Sequence, residues 1–154
     1  VPRRPERVLA IAADGGEAAL FLAREFPAAR VRGVDSSAAR VRAATERVGL
    51  DPEGRVAFKQ GRASALPFPD GFFDLVAQLD GRPAAAELAR VLAPGGHLVL
   101  VRTRPARTLL GLGGNLPRRG LARHGIELLE QSDGNDGSFA VARRVGANPG
   151  DDAE

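Results

Sequence analysis

The sequence predicts an α/β fold built on a mostly parallel sheet. Three observations carry this reading. Apolar runs of strand length alternate with segments of helical spacing through residue 103, the early strands are apolar nearly throughout, and only the last two strand-like runs alternate, around a Gly-Asn-Asp-Gly turn. Continuous apolar strands separated by helices imply a sheet covered on both faces, with ligands gathering at the carboxyl ends of the strands.

Residues 7 to 13, RVLAIAA, form the first strand, which ends at Asp14-Gly15-Gly16 and leads into EAALFLAREF. Asp14 and Glu17 are spaced like a capping box, and Pro27 stops the helix. Residues 29 to 35 form the second strand; the next helix is capped by Ser36 or Ser37 and ends at Gly49. A third strand covers residues 55 to 61 and a fourth, after a proline-punctuated connection, residues 72 to 79. The helix AAAELARVL ends at Pro94-Gly95-Gly96, and residues 97 to 103 form a fifth strand. An arginine-, glycine- and proline-rich stretch follows, with one short helix near Leu121; GIELLEQSD and SFAVARRV then form an antiparallel hairpin. Residues 1–145 read as one domain and 146–154 as a polar tail. Function is expected in the loops after Ala13, Asp35, Gly61 and Leu79.

Composition narrows the chemistry. The chain has 154 residues, 44% hydrophobic and 27% charged, which suits a single folded domain. No apolar run approaches the roughly 20 residues that span a bilayer, and no signal-peptide core is present, so a cytoplasmic protein without membrane contact is expected. Cysteine is absent, and His97 and His124 are the two histidines, so neither disulfides nor a metal site is expected. Arginine accounts for the basic residues apart from Lys59 and is scattered through every helix, which argues for a solvated surface rather than a nucleic-acid partner. Arg102, Arg104, Arg107, Arg118, Arg119 and Arg123 form the one local concentration.

The most specific segments are LPFPDGFFDLV and ELARVLAPGGHLVLV. Together with Asp35 in GVDSS, Gly61 and Ala63 in GRASALPF, and the Phe73-Asp74 pair, they make the chain resemble class I S-adenosylmethionine-dependent methyltransferases, in the type 11 and quinone-biosynthesis branch. Order and spacing agree over residues 7 to 103 and more loosely to 145. The resemblance implies a Rossmann-like class I methyltransferase sheet, mostly parallel, with a C-terminal antiparallel hairpin. It also implies S-adenosyl-L-methionine as cofactor and a small-molecule methyl acceptor. The cofactor-binding positions it points to are Ala12, Asp14, Gly16, Asp35, Ser36, Arg62, Ala63 and Gln78, with the backbone of Ala63 and the side chain at position 62 facing the adenine.

Chemistry supports these assignments independently. A glycine-rich turn between strand and helix admits a ligand close to the backbone, and helix N–H groups can meet its carboxylate. An acid at the tip of the next strand can accept from both ribose hydroxyls, which suits Asp35; the alternative role is a helix cap.

The first loop departs from the family's V-L-D-I-G-x-G-x-G. Here it reads VLAIAADGG, so Ala10 replaces an acid that lies beneath the methionine moiety, Ala12 adds a Cβ, and Asp14 takes the middle glycine position. The Asp14 carboxylate could stand in for the missing acid, or serve only as N-cap. Arg62 replaces an Asp and could stack on the adenine rather than read its edge. QLDGRP joins strand four almost directly to the next helix, which implies a shallow pocket, open to water or completed by a partner chain. No side chain is singled out as a catalytic base, and methyl transfer to an already nucleophilic atom needs mainly alignment. Asp80 is the candidate polar group near the transferred methyl, against the reading of an exposed turn residue. His97 reads as structural, and His124 lies beside the arginine-rich stretch. Two functions remain open: a methyltransferase, and a non-catalytic methyltransferase-like binding or assembly domain with weak or no cofactor affinity.

Overall fold

A computed structural model describes residues 4–11, 16–49, 53–102, 118–134 and 137–145. In chain order the elements are β1 (Arg7–Ile11), α1 (Glu17–Glu25), β2 (Arg30–Asp35), α2 (Ala38–Val48), β3 (Val56–Gln60), β4 (Phe73–Leu79), α3 (Ala85–Val91), β5 (Leu92–Arg102), α4 (Arg118–Arg123), β6 (Ile126–Gly134) and β7 (Gly137–Arg144). They form one seven-stranded sheet in the order β3-β2-β1-β4-β5-β7-β6. Strands β1 to β5 pair in parallel. Strand β7 lies antiparallel to both β5 and β6, so the hairpin joins the sheet through its second strand.

Each face of the sheet carries its own core. On one side Ala18 and Ala19 of α1 pack on Val8, Ala10, Val31 and Leu75. Small side chains let this helix approach closely, and the strands beneath it are fully buried. On the other side Leu88 and Val91 of α3 and Leu121 of α4 cover Leu9, Phe73, Val76 and Leu98. The order turns at β1, from which β2 and β3 lie to one side and β4 and β5 to the other. Such a reversal opens a crevice at the carboxyl ends of the central strands.

Two local expectations are corrected. Helix α1 is capped by Gly16, at φ +92°, rather than by Asp14, which lies outside the described residues. A Cβ on Gly16 would sit 3.2 Å from Phe58 Cζ and 3.3 Å from the Ala44 side chain, so both the left-handed backbone and the packing call for glycine. Glu17 turns outward to pair with Arg47 at 3.0 Å instead of closing a capping box. Strand β5 begins at Leu92 rather than His97, because Pro94-Gly95-Gly96 does not end the pairing. The register moves from Phe73↔Leu92 to Leu75↔His97, and the extra residues bulge with Gly95 at φ +78°. A Cβ on Gly96 would lie 2.8 Å from the Ala93 carbonyl oxygen, which explains the glycine there.

Candidate functional site

A cleft of about 170 Å³ opens at the carboxyl ends of β1, β2 and β4. Ile11, Asp35, Ser36, Gly61, Ala63 and Gln78 line it, with Arg40 from α2 and the turn Asp80-Gly81-Arg82 at its rim. A larger cleft, about 700 Å³, lies at the amino ends of the strands, where Arg4, Arg7, Arg30, Arg32 and Phe72 face it. The smaller one is the candidate site, because the backbone turns that admit ligands in open α/β sheets follow the carboxyl ends.

Asp35 is the last residue of β2 and is 7% exposed. Its Oδ1 accepts from the Ser37 N–H at 2.9 Å and from Arg40 Nε at 3.0 Å. Asp35 therefore steadies the start of α2 while it lines the cleft. The cap proper is Ser37, whose Oγ accepts from the Arg40 N–H at 3.3 Å. Arg40 was missed in the sequence; an arginine in the first helical turn after a strand-end acid was the available signal. On the β3 side of the cleft the Gly61 N–H donates to the Asp35 carbonyl at 3.0 Å. A Cβ on Gly61 would meet Pro67 Cδ at 2.7 Å and Val34 Cγ2 at 3.0 Å, so glycine here lets LPF lie against β2.

Gln78, near the end of β4, is 3% exposed. Its Nε2 donates to the Arg82 carbonyl at 3.3 Å, and its Oε1 is buried without a hydrogen-bond partner. Asp80 follows in a left-handed conformation, φ +53°, which asparate tolerates better than most residues, and its N–H donates to the Val101 carbonyl at 2.7 Å. It is at once an exposed turn residue and part of the cleft rim.

The other expected positions separate. Ser36 and Ala63 line the cleft, whereas Arg62 is exposed beside it, bridged through its backbone to Ala65. Gly16 shapes the turn from behind. Ala12 and Asp14 lie outside the described residues, as do Arg104, Arg107 and the 146–154 tail. His97 sits midway along β5, opposite Leu75 and Arg143, and His124 is exposed after α4, so neither lines the cleft. Among the described residues no group of histidine and acidic side chains is arranged to hold a metal, and no helix is long and apolar enough to cross a membrane.

The two most specific segments of the sequence are joined to each other away from the cleft. Arg90 of RVLAPGG donates to Glu87 through Nε at 2.8 Å and through Nη2 at 2.9 Å. It also donates to the carbonyls of Leu66 and Phe68 and to Asp70 at 2.8–2.9 Å. Glu87 in turn accepts from the Leu66 N–H at 2.7 Å. The Arg90 hydrogen bonds hold the Glu87 carboxyl below its usual range, and those same bonds raise the already high pKa of Arg90. Phe68, Phe72 and Phe73 close the loop with edge-to-face ring contacts at 4.9 and 5.0 Å.

Comparison with known proteins agrees with this geometry. A family model described as a methyltransferase domain matches residues 8–96. The demethylmenaquinone methyltransferase of Thermus thermophilus is 40% identical over 113 residues, covering 67% of this chain and 50% of that protein. The chain spans about half the length of the curated relatives it matches. Among solved structures, the cyclase SpnF superposes with a TM-score of 0.72 at 22% identity, covering 94% of this chain and 76% of that one. A putative methyltransferase in complex with the Haloferax volcanii activator Trm112 superposes with a TM-score of 0.77 at 17% identity, covering 96% and 85%. These two likenesses speak for the fold alone.

Proposed function

The chain belongs to the class I S-adenosylmethionine-dependent methyltransferases, in the quinone-biosynthesis branch, and from that membership we propose that its cleft binds S-adenosylmethionine for methyl transfer to a small-molecule acceptor. The observation that carries the proposal is Asp35, a buried acid at the tip of β2 within a cleft at the sheet's turning point. The donor set suits an adenosyl ligand. Asp35 offers a carboxylate to ribose hydroxyls, Ser36 and Ala63 offer backbone beside it, and Gln78 offers a side-chain carbonyl on the β4 side. The family resemblance assigns Arg62, Ala12 and Asp14 to the same ligand.

When bound, the cofactor supplies an electrophilic methyl group on a sulfonium. The residues of this chain contribute position rather than proton transfer. Asp35 fixes the ribose in the middle of the ligand, and among the described residues the short Asp80-Gly81-Arg82 turn leaves the acceptor side open. The open side fits a bulky acceptor or a second chain that completes the site, as an activator accompanies one structural relative.

A second reading, a binding domain with weak cofactor affinity, is favoured by one observation: Arg40 already occupies Asp35 Oδ1. Thermal shift with S-adenosylmethionine and S-adenosylhomocysteine separates the two. Saturation at about a hundred times Kd is expected to add about 2.7 kcal/mol of stability, and Asp35→Asn to remove most of that gain. Absence of any shift at millimolar ligand would favour the binding-domain reading and reject the enzyme.

A further inference from the structure

Gln78 is the one side chain lining the cleft whose buried polar atom lacks a partner among the described residues. A buried carbonyl oxygen without a donor costs the folded state a hydrogen bond's worth of desolvation, so its persistence in a ligand cleft needs a reason. The amide orientation is settled by its neighbour. Reversing it would set Oε1 against the Arg82 carbonyl, which now accepts from Nε2 at 3.3 Å. The acceptor is therefore held on the side away from Arg82, on β4 at the register position of Ile11 on β1.

Charge and distance select the donor. Asp35 ends β2, and Gln78 stands two strands away across β1, about 10 Å at the usual strand spacing. An adenosyl amino acid whose ribose meets Asp35 carries its α-ammonium on that scale, at the far end of the ligand. The β1 wall between them presents Ile11, which has no polar side-chain atom, and Ala10 behind it is fully buried. Resting on the cofactor reading above, we propose that Gln78 positions the amino-acid end of the ligand, its Oε1 accepting a hydrogen bond from the α-ammonium.

The test compares two ligands on three proteins by calorimetry. S-adenosylhomocysteine carries the amino acid; 5′-methylthioadenosine keeps adenine, ribose and sulfur but lacks it. Gln78→Leu is expected to weaken S-adenosylhomocysteine about tenfold or more while leaving methylthioadenosine within about twofold. Gln78→Glu, which keeps an acceptor but loses the Nε2 bond to the Arg82 carbonyl, is expected to retain the preference for S-adenosylhomocysteine over methylthioadenosine that Gln78→Leu loses. Ligand-free Gln78→Leu removes both the unpartnered carbonyl and the Nε2 bond to Arg82, so its melting temperature should stay close to that of the parent, and the contrast between the two ligands carries the test. Equal weakening of both ligands, or of neither, overturns the role of Gln78 while leaving the cofactor reading intact. A parent that binds neither ligand overturns both.

Discussion

The clamp around Arg90 and the cleft around Asp35 are built from the same materials, an acid and an arginine, and they are finished to different degrees. In the clamp every nitrogen of the Arg90 guanidinium donates, to two acids and two carbonyls, and Glu87 accepts from both Arg90 and the backbone. In the cleft Asp35 uses one oxygen for Ser37 and Arg40, the Arg40 side chain is 62% exposed, and Gln78 keeps an acceptor without a donor. A polar network satisfied within the chain stabilises the fold, whereas one left partly open has capacity for a ligand. The residues that make this family most recognisable in sequence belong largely to the first kind.

Breaking the clamp should have the largest effect. Arg90→Leu leaves the Glu87 carboxylate with the Leu66 N–H as donor, takes the arginine donor from Asp70 and from the Leu66 and Phe68 carbonyls, and is expected to cost about 2 kcal/mol. Urea denaturation should show a lower midpoint at unchanged slope. Cofactor affinity, measured at a temperature where the variant remains folded, should stay near the parent value, because Arg90 does not line the cleft.

Releasing the cleft's own arginine sharpens the contrast. Arg40→Met frees Asp35 Oδ1 for a second ribose hydroxyl and removes a positive charge near a cationic ligand. Since the arginine is largely exposed, the gain is at most about 1 kcal/mol, a two- to fivefold tightening. It should be larger for S-adenosylmethionine than for the less positively charged S-adenosylhomocysteine, and calorimetry on the two ligands reads it. Weaker binding of both would show that Arg40 instead holds Asp35 in place.

The smallest effect concerns His97, whose buried Nδ1 also lacks a hydrogen-bond partner but lies outside the cleft. Burial, aided by Arg143, pushes its imidazole below the ordinary histidine value. Folding therefore favours the neutral ring. Its contribution is fully present above the unfolded-chain value of about 6.5 and is lost as pH falls toward the folded value. His97→Gln should flatten the fall in Tm as pH drops below 6.5 and leave ligand binding unaltered. Glu87, with a lowered carboxyl pKa, acts in a separate window, its stabilisation being lost as pH falls below 4.5.

The alternation of strands and helices, the parallel core and the closing hairpin were legible in the sequence because burial on both faces of a sheet forces continuous apolar runs. Asp35 was legible too, since a strand-end acid before a serine cap is a local pattern. Less visible were the start of β5 and the cap of α1. Whether Pro94-Gly95-Gly96 ends a strand or bulges within one depends on β4 lying alongside, and the cap depends on Ala44 and Phe58 packing against Gly16.

By itself, then, the sequence determined the order and type of the elements and pointed to the end of the sheet where the cleft around Asp35 lies. These follow from the period of side-chain burial and from local turn chemistry, both carried by neighbours along the chain. Tertiary structure alone decided that Arg90 bolts one signature segment to the other, that Arg40 shares Asp35, that Arg62 stands outside the cleft wall, and that Gln78 turns an unpaired oxygen inward. Hydrogen bonds between residues far apart in sequence depend on which strands lie side by side, and no local pattern encodes that distance.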